Sequence, residues 1–254
     1  MERIQLVVVS GSEERKQRLH QQFSELEIDC PIHYLEAKVL DVEAGNDYVP
    51  SNATLIERRT ILSTRSHICA IEFAGKESSP EFTLILEDDV ALHKTEFKSK
   101  LIELLNMFDT LVKPHSNVLS LGWIPNYNYS NYKDRSSNYR LDDIYKILLI
   151  FTPGTQAYLI KKEVAKEYTP LFKHDTHTAL CKTMLEQKNS LVTDPLQLVA
   201  FDNFGLRLLN QCVLFPPIVI EQESKSLIRE TIENPYWKQF FHKYEHIRKE
   251  YWSF

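Results

Sequence analysis

The chain alternates short, dense apolar runs with longer amphipathic stretches. Phe82 to Leu86 and Ile4 to Val9 are near-continuous apolar runs, the pattern of strands buried on both faces. Ile32 to Ala37 alternates as a short strand, and Asn117 to Leu121 is the next. Helical periodicity follows the first run, with Leu19, Phe23 and Leu26 on one face, and again from Leu55 to Ala74, lined by Ile61, Leu62, Ile68, Cys69 and Phe73. The clearest helix carries Phe97, Leu101, Leu104, Leu105 and Phe108. Strands alternating with helices through residue 121 predict an α/β protein with a mainly parallel central sheet and helices on both faces.

The second half is less regular. Residues 122–140 interleave Asn, Ser and Tyr, including Tyr127, Tyr129, Tyr132 and Tyr139, which suits either a sugar-stacking lid or a plain surface loop. Tyr145 to Phe151 and Gln156 to Ile160 are strand candidates around a Pro153-Gly154-Thr155 turn, and a helix follows around Lys162 to Tyr168. His174, Asp175 and His177 open a further helical stretch, as a cap or as metal ligands. Val213 to Ile220 reads as one strand that bends or lies at an edge because Pro216 and Pro217 interrupt it. From Asn234-Pro235, a cap and first-turn pair, Trp237, Phe240, Tyr244, Ile247, Tyr251 and Phe254 make one helix face. That face docks on the core or, with Lys238, Lys243, Arg248 and Lys249 opposite, lies on an anionic membrane.

Composition narrows the classes. With 43% hydrophobic and 26% charged residues over 254 positions, the chain is an ordinary globular sequence with room for a large core. A formal net charge of −5 and no long basic block disfavour nucleic acid as a partner. The four cysteines are widely spaced, as buried free thiols are in a reducing compartment. Neither a secretory leader nor an 18-residue apolar span is visible, so a cytoplasmic protein is expected, with peripheral contact at an anionic membrane as the variant.

The candidate chemistry sits at the end of the central run. Glu87, Asp88 and Asp89 are three consecutive acids where a buried strand surfaces, and buried carboxylates need a cationic partner. Oxygen ligands suit Mg²⁺ or Mn²⁺, shared between carboxylates and substrate phosphates. The alternative is an acidic turn that caps a following helix. Ser10, Gly11 and Ser12 form a small-residue turn between the first strand and helix; such turns point backbone N–H groups at a ligand, although Ser12 also reads as an N-cap. His67 in the long helix reads as a hydrogen-bonded packing residue or a catalyst, and Asp202, between Phe201 and Phe204, as a functional carboxylate or a helix cap.

Taken in order, VVVSGSEERKQRL, Ser66-His67, LILEDDVAL, GTQAYLIKKEVA, Phe201-Asp202 and PPIVIEQESKS resemble glycosyltransferase family 25, although Arg59, Thr60, Leu62 and Ser63 depart from its usual residues before Ser-His. The resemblance implies an A-type, Rossmann-like glycosyltransferase fold over residues 1–254. Its halves would be 1–121 for the nucleotide sugar and 122–233 for the acceptor, with 234–254 as the C-terminal helix. It also implies a UDP-sugar donor, often UDP-galactose, a glycan or glycolipid acceptor of the lipooligosaccharide type, a divalent cation and inversion at the transferred sugar. On that pattern Asp89 and Glu87 hold the metal, with Glu87 alternatively on the donor ribose. Asp88 contacts the donor sugar or holds the loop. Ser10 and Arg15 lie near the diphosphate, Thr155 and Gln156 near the sugars, Gln222 is a further contact, and Asp202 is the base.

Overall fold

The computed structural model of the protein describes residues 1–38, 49–123, 138–142, 145–149, 152, 154–172, 178, 179, 181, 183 and 200–221. Strand β1 (Ile4–Ser10) leads into helix α1 (Glu13–Glu25) and β2 (Ile32–Glu36); α2 (Leu55–Ala74), β3 (Phe82–Glu87), β4 (Val90–Leu92) and α3 (Phe97–Met107) follow. Then come β5 (Val118–Gly122), β6 (Asn138–Arg140), β7 (Lys146–Leu148), β8 (Ala157–Lys161), α4 (Lys162–Tyr168), β9 (Gln211–Phe215) and β10 (Val219–Glu221).

Eight strands form one sheet in the order β2-β1-β3-β8-β5-β9-β7-β6, and β4 pairs with β10 in a second, two-stranded sheet. In the large sheet β8 is antiparallel to both β3 and β5, and β7 to both β9 and β6. The other neighbours are parallel, so six strands share one direction and two oppose it. The expected mainly parallel α/β sheet is present, with β8 inserted between two strands of the common direction.

The pleat explains why β1 and β3 read as unbroken apolar runs. Ile4, Leu6 and Val8 join Leu84 and Leu86 in a core under α1 and α3, with Leu19, Phe23, Leu101 and Leu104. Val7, Val9 and Ile85 face the other side, against Leu62, Ile68 and Ile71 of α2 and Ala165 of α4. Both faces are therefore covered by helix. Removing one such side chain, as in Leu62→Ala, costs about 2–5 kcal/mol by the usual cavity penalty.

Helix α2 begins where expected because Thr54 and Glu57 form a reciprocal capping box. The run from Val213 to Ile220 is corrected: it is two strands in different sheets, divided by Pro216, which follows a cis peptide bond, and Pro217. Proline lacks the N–H a ladder needs, so β9 stops before the pair; it lies between β5 and β7, not at an edge. The acids after β3 do not cap a helix, because Val90–Leu92 continues as a strand. None of the four cysteines is in a disulfide, and burial pushes the Cys181 and Cys212 thiols up to about 12. No helix among the described residues is long and apolar enough to cross a membrane. Most of the tyrosine-rich segment, the His174–His177 cluster, Gln222 and the C-terminal amphipathic stretch lie outside the described residues.

Candidate active site

The carboxyl ends of β1, β3 and β5 meet the start of β8 along one edge of the sheet. Val9 pairs with Glu87, Leu86 with Ala157 and Gly122 with the same Ala157, and the Glu87 amide donates to the Gln156 carbonyl at 3.1 Å. In open α/β sheets this is the edge where ligands bind. The β4–β10 ribbon folds across it: the Ile218 amide donates to the Leu121 carbonyl (3.1 Å), and the His93 amide to the Ile218 carbonyl (2.9 Å). Gly122 has no side chain for a physical reason, since a Cβ there would lie 2.9 Å from the Val219 carbonyl oxygen.

Asp88 closes back on the turn between β1 and α1. Its Oδ2 accepts from the Ser10 hydroxyl (2.9 Å) and from the Gly11 and Ser12 amides (2.9 and 3.1 Å). The amides at a helix N-terminus favour an anion, and here that anion is a side chain of the protein. Ser12 is also the N-cap of α1, its hydroxyl accepting from the Arg15 amide. One turn on, Arg15 Nη1 lies 3.5 Å from Asp88 Oδ1 and 3.4 Å from Asp89 Oδ2, with all three side chains largely buried. Ser10, Arg15, Asp88 and Asp89 thus converge.

Asp89 is the frustrated member. Its Oδ1 is buried without a hydrogen-bond partner. Burial, then the negative charges of Glu87 and Glu221, push its carboxyl well above the usual carboxylate range, against the pull of Arg15. Glu221 comes close because β10 pairs with β4, setting it opposite Val90. Sequence reasoning passed over this acid; the only hint was its place beside Gln222 in the late PPIVIEQESKS stretch.

Glu87 lies in a different setting. Its Oε1 accepts from the Thr155 hydroxyl and lies 3.2 Å from His67 Nε2. Burial alone would raise this carboxyl, but the His67 hydrogen bond and charge, the Thr155 hydroxyl and Arg15 outweigh it and hold it below its ordinary value. His67 is itself buried, with Nδ1 3.2 Å from the Tyr158 hydroxyl and its ring stacked on Phe201 at 5.1 Å. These contacts suit the reading of His67 as a hydrogen-bonded packing residue.

Asp202 opens a π-helical turn, Asp202–Leu206, but does not cap it; its Oδ2 accepts from the Gly154 amide at 3.1 Å. Gly154 adopts φ 108°, a conformation that favours glycine, and so directs its own amide to Asp202 while Thr155 reaches Glu87. The Gly154–Thr155 loop is thereby joined to Asp202 at the start of its helical turn. Gln156 is buried beside it, its Oε1 without a hydrogen-bond partner.

A divalent cation can be tested against this donor set. Among the described residues no group of three His, Cys, Asp or Glu side chains forms a ready-made cage. Two observations nevertheless fit a hard cation: the orphaned buried Asp89 Oδ1, and the mutual repulsion of Asp89, Glu87 and Glu221. Mg²⁺ and Mn²⁺ are commonly held by one or two carboxylates, with substrate phosphates completing the shell.

No protein-family model matches the chain, and no curated protein matches it. Among solved structures, a glycosyltransferase involved in glycosylation of the major capsid of PBCV-1 is 12% identical, with a TM-score of 0.45 over 89% of this chain and 96% of that one. Galactosyltransferase LgtC with donor and acceptor sugar analogs is 9% identical (TM-score 0.41; 99% and 97% covered). Mouse xyloside xylosyltransferase 1 is 14% identical (TM-score 0.39; 98% and 79% covered). Likeness at this level carries nothing about substrate or chemistry, which rest on the residues themselves.

Proposed function

We propose that the protein is a glycosyltransferase of the A type, related to family 25, that moves a hexose, galactose by the resemblance, from a UDP-sugar to a hydroxyl of a glycan or glycolipid acceptor. The observation that carries this reading is Asp89: a buried carboxylate at the end of a central strand, with one oxygen unpartnered and two further acids pressing on it. Such a group calls for a cation, and a cation held by so few ligands calls for a polyanionic substrate.

In this reading Asp89, with Glu87, would hold Mg²⁺ or Mn²⁺, which when bound would spread the charge that develops on the departing diphosphate, while Glu221 adds negative charge beside them. Arg15 lies against Asp88 and Asp89 and supplies a fixed positive charge beside the diphosphate. Asp88, tied to Ser10 and the start of α1, holds the loop that carries the pair. Thr155 and Gln156 face the sugars, and Gln222 is a further donor contact. Asp202 is the base that takes the acceptor proton for inversion, and its bond to the Gly154 amide orients it. Residues 1–121 serve the donor and 122–233 the acceptor; with a lipid-linked acceptor, the 234–254 stretch would bring the protein to the membrane surface instead of docking on the core.

A panel of UDP-sugars with Mn²⁺, assayed for UDP release with and without glycan acceptors, tests the reading. Transfer is expected from one donor, and Asp89→Asn and Asp202→Asn are each expected to lower kcat by at least about 100-fold while remaining folded. Near-wild-type transfer by either variant removes that residue's role. Absence of UDP release from every donor, with UDP and Mn²⁺ still raising Tm, would favour a binding module on the same scaffold.

A further inference from the structure

Two donors reach Glu87, and both take the same oxygen. His67 Nε2 and the Thr155 hydroxyl converge on Oε1, while no hydrogen bond reaches Oε2 among the described residues and the Glu87 side chain keeps 26% of its surface exposed. A carboxylate held by one oxygen presents the other. A carboxylate only accepts, so Nε2 carries the hydrogen of that contact, while Nδ1 lies 3.2 Å from the Tyr158 hydroxyl. The ring is locked at both nitrogens and against the face of Phe201, with an interplanar angle of 16°.

These contacts close a circuit. From His67 the path runs to Glu87, Thr155 and Gly154, then through the Gly154 amide to Asp202, and from the adjoining Phe201 back onto the His67 ring. His67 lies on α2, and none of the circuit's other members does. It is the point at which this 20-residue helix meets both the acidic strand end and the helical turn that begins at Asp202.

We propose that His67 is a positioning residue: by clamping Oε1 it aims Oε2 of Glu87 into the donor site, so that the complex with a divalent cation and a nucleoside diphosphate forms on a carboxylate already oriented. This rests on the reading above that such a complex binds beside Glu87 and Asp89. Partners that orient a metal ligand or a contact of this kind are worth roughly 10–100-fold in affinity.

The test is calorimetric binding of UDP in the presence of Mn²⁺, which needs neither turnover nor a known donor sugar. His67→Phe keeps the ring and its stacking but removes both nitrogens, and is expected to weaken binding roughly 10–100-fold. His67→Gln, which restores a donor and an acceptor, is expected to recover most of that loss. In a Glu87→Gln background, His67→Phe is expected to add almost nothing, since its effect passes through that carboxylate. Thermal unfolding of each variant identifies any that are misfolded. The proposal is overturned if His67→Phe binds within about twofold of wild type, if its effect adds fully to that of Glu87→Gln, or if His67→Gln recovers nothing while remaining folded. Wild-type protein that binds neither Mn²⁺ nor UDP would overturn the functional reading and this proposal together, whereas wild-type binding with an unaffected His67→Phe overturns this proposal alone.

Discussion

Arg15 is the informative residue to remove. It is the cation in contact with both Asp88 and Asp89, at 3.5 and 3.4 Å, and side-chain exposures of 11%, 6% and 12% leave little water to replace it. Truncating one partner of a buried ion pair costs about 3–5 kcal/mol, because the charge left behind is not rehydrated. For a chain of this length each kcal/mol moves Tm by roughly 2–4 °C, so Arg15→Met is expected to lower the Tm of the metal-free protein by about 6–20 °C. The same substitution leaves the carboxylates more in need of a cation. A ligand at 100 times its Kd stabilises by about 2.7 kcal/mol, and tenfold tighter binding adds about 1.4 kcal/mol. Mn²⁺ should therefore raise the Tm of Arg15→Met by more than it raises that of wild type, while UDP affinity falls. Differential scanning fluorimetry over a Mn²⁺ titration measures both. A metal-free Tm within about 2 °C of wild type, or a smaller Mn²⁺ response in the variant, would refute the charge argument.

Other expectations follow from neighbouring groups. The Asp89 carboxyl is raised in the folded state, so its stabilising contribution is present below the ordinary carboxylate value and is lost as pH rises through the folded one. Asp89→Asn should accordingly be more stable than wild type at pH 8 without metal, a gap that closes near pH 4 in urea titrations; a less stable variant at pH 8 counts against the assignment. His93 shows the opposite sign: burial depresses it from 6.5 to about 4, and its Nδ1 accepts from the Glu96 amide at the start of α3. Stability is then full above its ordinary value and is lost as pH falls from 6.5 towards 4, by at most about 3 kcal/mol at roughly 1.4 kcal/mol per unit. His93→Asn should flatten the Tm profile between pH 7 and 4.5. Gly122→Ala places a methyl 2.9 Å from a backbone oxygen and 3.0 Å from the Val219 Cβ, which should cost about 1–3 kcal/mol in denaturant titrations and weaken Mn²⁺ binding by shifting β10.

Local pattern carried much of the fold. The apolar runs of β1 and β3 announced strands covered on both faces, and α2 occupies the interval Leu55–Ala74 that its periodicity marks. Pairing across long sequence separations was not legible. Nothing in Ala157–Lys161 says that it will run antiparallel between β3 and β5, because a fully buried strand has the same composition in either direction. By pattern the two prolines read as an edge or a bend in one strand, whereas they mark the passage from one sheet to another, set by the pairing of Val219–Glu221 with Val90–Leu92.

The candidate site divides along the same line. Glu87, Asp88 and Asp89 stood out as three adjacent acids, but adjacency does not say that they would part into three environments. Asp88 is satisfied by the amides beginning α1, Glu87 by His67 and Thr155, and Asp89 is left with one oxygen unpartnered. Those differences come from residues up to 78 positions away, and Glu221 joins only because β10 pairs with β4. The unequal treatment is itself the functional argument. A motif needed only for the fold would be expected to satisfy all three acids; here two are tied by protein donors, and the third keeps an open oxygen beside the negative charges of Glu87 and Glu221. Such a group destabilises the empty protein and is relieved by a cation, so the stability given up at Asp89 returns as affinity when cation and diphosphate arrive together.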